Sequence, residues 1–107
     1  MDMVKRFEVY FIDLNPTIGS EINKIRPAVI VSPNEMNNAL NTVIIAPLTS
    51  TLKPYPMRVN CNVDGKQGQI ALDHIRSVVK KRLKGKLGEI ENSTQKEVVN
   101  TLLEIFS

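Results

Sequence analysis

The chain has 107 residues, 42% hydrophobic and 23% charged, with 14 Lys+Arg against 11 Asp+Glu and a net charge of +3. That length suits one domain, residues 1–107, and the composition is that of a globular protein rather than a disordered tail. No apolar run reaches the roughly 18 residues that span a bilayer, no secretory pattern opens the sequence, and the one cysteine, Cys61, excludes a disulfide within the chain. The expectation is a cytoplasmic protein with no membrane contact.

"EVYFIDL" (Glu8 to Leu14) is rich in β-formers and ends at the turn signal Asn15-Pro16. Its apolar side chains fall on both faces, which predicts a strand enclosed on both sides. "TIGSEINKI" reads as a loop, "PAVIVS" as a second strand closed by Pro33, and "NEMNNALN" as one short helical turn. "TVIIAPL" (Thr42 to Leu48) is a third strand, with Pro47 near its end. In "MRVNCNV", Met57, Val59, Cys61 and Val63 alternate with Arg58, Asn60 and Asn62, so one face is buried and one is wet.

Asp64-Gly65 then reverses the chain into "GQIALDHIRSV", predicting a hairpin of two strands. "KKRLKG" predicts a helical turn and "KLGEI" a short strand. In the closing "NSTQKEVVNTLLEIFS", Thr94 and Glu97 have capping-box spacing, and Val99, Leu102, Leu103 and Phe106 recur at helical intervals. Short strands, few helices and this length predict a small, mostly antiparallel barrel.

One Cys and one His cannot build a zinc-type cluster within the chain, and no EF-hand, Walker or Rossmann spacing occurs. A Ser/His/Asp set can be assembled from Ser20, His74 and Asp73, but no nucleophile-elbow pattern supports it. The chemistry is therefore expected to need neither metal nor cofactor. The run "RSVVKKRLKGK" from Arg76 to Lys86 is rich in basic residues and holds no acid, which fits either a solvated face or a polyanionic partner.

"VYFIDLNPTIGSEINKIRPAVIVSP", "APLTS" and "ALDHIRSVVKKRL", in that order and spacing, resemble the MazF/PemK (Kid) family of toxin endoribonucleases from toxin–antitoxin modules. The resemblance implies an SH3-like, partly open barrel with a C-terminal helix, a two-fold homodimer, a cognate antitoxin protein, and metal-free cleavage of single-stranded RNA. In such cleavage the RNA's own 2′-OH attacks the adjacent phosphate, leaving a 2′,3′-cyclic phosphate and a 5′-OH. A guanidinium, always charged and carrying several fixed donors, suits the transition state.

The resemblance implies that Arg26, just before Pro27, and Thr49, in "PLTS", are the catalytic pair. A dimer-edge ion pair is the alternative for Arg26, and a loop cap for Thr49. Glu21 either holds Arg26 or anchors its own loop. Asp73 matches an acidic position used for acid/base work in the Kid branch, but Ala71 replaces that branch's arginine and Ser20 its histidine. His74 stands where many relatives carry glutamine, as a hydrogen-bonding prop or as a titrating group. Ser20, Lys53, Tyr55, Lys80, Lys81 and Arg82 are assigned to RNA contact, with "TSTLKPYP" (Thr49 to Pro56) as the lip of the groove. Competing readings are a CcdB-like barrel that binds DNA gyrase and cuts nothing, and an RNA-binding barrel without catalysis.

Overall fold

The structure, a computed structural model, describes residues 3–15 and 24–107. Among the described residues, seven strands and two α-helices follow one another: β1 (Glu8–Asp13), β2 (Ile25–Ile30), α1 (Asn34–Ala39), β3 (Thr42–Thr49), β4 (Arg58–Val63), β5 (Lys66–Ala71), β6 (Arg76–Val79), β7 (Leu83–Glu89) and α2 (Asn92–Phe106). The strands form one curled antiparallel sheet in the order β4-β5-β3-β2-β1-β7, with β6 also paired to β3. Together with the C-terminal helix, this is the partly open barrel expected from the sequence.

Strand alternation divides the apolar side chains between two cores. Val9, Val29, Ala46, Val59, Ile70 and Val98 belong to the core beneath α2. Ile12, Ala28, Ile30, Val43, Ile45 and Val78 belong to the second. The central strands β1, β2 and β3 contribute to both, which is why β1 reads as apolar on both sides. The β4–β5 hairpin turns at Asp64 and Gly65, whose φ values of 52° and 76° suit the tight turn of a two-residue loop.

Three expectations change. "GQIALDHIRSV" is not one strand: a 3-10 turn at Leu72–His74 separates β5 from β6. Leu72 is buried and its N–H donates to the Met57 carbonyl, so the chain bends around an apolar anchor. That bend lets β5 pair with the end of β3 (Leu48, Thr49) while β6 pairs with its beginning (Thr42 to Ile45).

Helix α2 starts at Asn92 rather than after Thr94, has no side-chain cap, and carries Thr94 buried in its first turns. Its core-facing stripe is Thr94, Val98, Leu102 and Ile105. Leu103 and Phe106 are exposed, so the expected stripe was rotated from the real one. Finally, β2 begins at Ile25, which places Arg26 and Pro27 inside the strand, opposite Ile12 and Phe11.

Candidate active site

Arg26 lies on β2, antiparallel to Ile12 of β1, and is exposed. Among the described residues it makes no ion pair. Its side chain lines a cavity of about 150 Å³ together with Pro27, Pro47, His74 and Arg76. A second cavity, of about 140 Å³, is lined by Pro27, Leu48, Thr49, Ser50 and Cys61. Pro27 lines both, so the cavity that Arg26 lines and the one that Thr49 lines share a wall residue.

The Thr49 hydroxyl accepts the Thr51 N–H at 3.1 Å, the loop-capping bond that served as its alternative reading. A hydroxyl that accepts one bond keeps its own proton to donate, so capping and substrate contact are compatible. Burial pushes the nearby Cys61 thiol up to about 11, leaving it neutral and a poor nucleophile at physiological pH.

The 3-10 turn lifts Asp73 and His74 out of the ladder. Arg58, at the start of β4, donates from Nε to Asp73 Oδ1 at 2.8 Å and from Nη2 to Oδ2 at 3.3 Å. His74 Nε2 stands 3.3 Å from the same Oδ2. The hydrogen bond from Arg58 is the chief reason the Asp73 carboxyl lies below its ordinary range, and Arg58 is pushed the other way. The Arg58 guanidinium also lies 5.2 Å from the centre of the exposed Tyr55 ring. Tyr55, Arg58, Asp73 and His74 thus form a continuous polar chain from the lip toward the Arg26 cavity.

The other basic candidates separate. Lys80 Nζ donates to the Asn37 carbonyl, and Arg82 Nη1 donates to the carbonyls of Asp13 (3.0 Å) and Asn15. Lys81 and Lys53 are exposed. Ser20 and Glu21 lie outside the described residues, as does Gly19. Among the described residues no three His, Cys, Asp or Glu side chains are grouped to hold a metal ion.

Sequence reasoning passed over Arg58, Arg76 and Gln69. Arg76 was visible only as the first member of a basic run. Arg58 was read as one polar residue on a wet face, although it sits opposite Ala71 in the hairpin register and so reaches Asp73 across the pair.

A family model described as the PemK-like, MazF-like toxin of type II toxin–antitoxin systems matches residues 5–106. The chain belongs to this toxin family. It is 35% identical over 106 residues to the "Endoribonuclease MazF" of Staphylococcus epidermidis, covering 94% of this chain and 88% of that protein. A solved "Endoribonuclease from Mycobacterial species" superposes with a TM-score of 0.82 at 27% identity, covering 99% of this chain and 93% of the other. A MazE–MazF structure from Deinococcus radiodurans gives 0.82 at 25% identity, covering 98% and 97%. The MazF-like barrel is therefore common to this chain and to structures with antitoxin present.

Proposed function

We propose that this protein is the endoribonuclease toxin of a type II toxin–antitoxin pair, cutting single-stranded mRNA in the cytoplasm as a homodimer and restrained by its antitoxin. The observation that carries the reading is Arg26, a guanidinium without an ion pair among the described residues, facing a cavity with His74 and Arg76. The family match over residues 5–106 and the relative's name, "Endoribonuclease MazF", support it. They weigh against a gyrase-binding barrel.

In this reading the RNA's 2′-OH loses its proton to water as its oxygen bonds to the adjacent phosphorus, the bond from phosphorus to the 5′-oxygen breaks, and that oxygen takes a proton from water to leave as a 5′-OH beside a 2′,3′-cyclic phosphate. Charge builds on the non-bridging oxygens, where Arg26 places a fixed positive group. Thr49 donates a hydrogen bond from its hydroxyl to a phosphate oxygen, and Arg76 holds the flanking phosphate. Asp73, kept ionised by Arg58, orients the His74 ring through Nε2 rather than donating a proton itself. Lys53 and Lys81 steer the backbone, and Tyr55 offers one ring for stacking. Lys80 and Arg82 first brace the structure around that groove.

No step calls for a metal. Purified protein is expected to cut a long single-stranded RNA in excess EDTA and to leave 5′-OH ends. Loss of cleavage in EDTA with rescue by Mg²⁺, or fragments bearing 5′-phosphate, would overturn the mechanism.

A further inference from the structure

Between the end of β3 at Thr49 and the start of β4 at Arg58, the chain has no ladder to hold it. It is nonetheless tied down at Lys53. Gln69, on β5 and only 5% exposed, accepts the Lys53 N–H at Oε1 (2.9 Å). Its Nε2 donates to the Lys53 carbonyl at 2.8 Å and to Asn60 Oδ1 at 3.1 Å. Both amide protons and one acceptor position are thus engaged, in a pattern that copies the two-bond exchange of a β-bridge.

The placement matters as much as the bonds. Gln69 is the register partner of Thr49, so one residue pairs through its backbone with the strand end and through its side chain with a point four residues further on. Beside it, a Cβ on Gly68 would come within 3.0 Å of the Thr49 carbonyl, which shows how closely β5 is drawn under this corner. A second tie lies beyond Lys53, where the Tyr55 ring rests on the Arg58 guanidinium that grips Asp73. A buried amide in an otherwise apolar stretch (Ile70, Ala71 and Leu72 follow it) is costly unless its bonds are made, and here they are made to the lip.

We propose that Gln69 is a positioning residue that fixes residues 50–57 over the cleavage site, and that this fixed shape determines which RNA sequences are cut. The proposal rests on the RNA-cleaving reading for its second half only. Lys53 and Tyr55 are thereby held at a set distance from Thr49, so a strand of RNA meets one lip shape rather than an ensemble. A loosened lip should bind RNA less tightly and discriminate less, while Arg26 and Thr49, on their own strands, keep their chemistry.

The test is amide exchange together with cleavage mapping on the full-length protein. In the wild type, the Lys53 amide is expected to be protected although it lies outside any strand. In Gln69→Leu its exchange should quicken by at least about tenfold, the consequence of losing two hydrogen bonds. The same variant should show a raised KM, a kcat nearer to wild type, and cuts at RNA sites that the wild type ignores. Asn60→Ala, which leaves both Lys53 bonds intact, should keep the wild-type cleavage map. An unprotected Lys53 amide in the wild type would overturn the clamp even if Gln69→Leu fails to fold. Faster Lys53 exchange with an unchanged cleavage map would overturn the role in sequence choice. A wild-type protein that cuts no RNA, with Lys53 still protected, would instead sink the nuclease reading and leave the clamp standing.

Discussion

Arg26 and Arg58 are chemically the same side chain in opposite situations. Arg58 gives two hydrogen bonds to Asp73, lies beside Tyr55 and is mostly covered, so its charge is answered inside the molecule. Arg26 faces a cavity with two other basic or titratable groups, an arrangement that favours an anion. Arg26→Ala is expected to cost on the order of 100-fold in cleavage rate, about 3 kcal/mol of transition-state stabilisation. Folding should survive, since the side chain is exposed.

His74→Gln should cleave within about tenfold of wild type, as expected of a prop rather than a proton carrier. Asp73 is held below its ordinary range, so it stays ionised as pH falls from neutrality and remains an acceptor for the side chain at position 74. A rate loss beyond about 100-fold in that variant would make His74 an acid or base. Arg26 and Thr49 stand out in the sequence because each sits in a local string of the family motif. Arg58 does not, because its role depends on a cross-strand partner fifteen positions away.

Among the elements, the β4–β5 hairpin was the most readable, since alternation and an Asp-Gly turn are both local signals. Its turn also makes a sharp demand on one residue. Gly65 has φ +76° with no atom near its missing Cβ, so a side chain there meets backbone strain and no clash. Gly65→Val should destabilise the protein by about 1–2 kcal/mol, while Gly65→Asn, tolerant of that conformation, should cost less. Thermal melting of the two variants gives the comparison, and equal melting temperatures would contradict it.

The break at Leu72–His74 was illegible for a related reason. A continuous β-like string carries no mark of where a sheet must curl, and the bend is set by Leu72 burying itself against distant strands. Helix α2 shows the limit of periodicity: Val98, Leu102 and Ile105 fit the helical repeat as well as Val99, Leu102 and Phe106 do. Only the sheet beneath decides which set is buried.

At the scale of the whole molecule, fold class followed from strand signals and from family resemblance, but the order of strands did not. The pairing of β1 with β7 and of β3 with β6 joins segments far apart in the chain, about which hydrophobic patterning is silent. The β1–β7 seam is fastened by Glu8, a buried carboxylate on β1, the strand next to edge strand β7. It accepts the Lys5 N–H at 2.7 Å and the Tyr10 hydroxyl at 3.1 Å, and pairs with Lys86 of β7 at 2.6 Å. Burial alone would raise its pKa, but the bonds from Lys86, Lys5 and Tyr10 outweigh that and leave it below the usual 4.5.

A carboxylate with a depressed folded pKa adds stability that is fully present above the unfolded value. That contribution is lost as pH falls through the folded one. Lys86 is raised by the same pair, so its share is present below the ordinary lysine value and fades only as pH rises through the raised one. Glu8→Gln should therefore destabilise the protein at pH 7 by roughly 1–3 kcal/mol, since three part-buried donors lose a charged acceptor. The gap between variant and wild type should narrow in acid, below pH 4.5, as the native carboxylate takes up its proton. Urea unfolding at a series of pH values measures both curves. A gap that stays constant from neutral pH down to strong acid would mean that Glu8 acts by shape alone, and that its charge does nothing to hold β7 against β1.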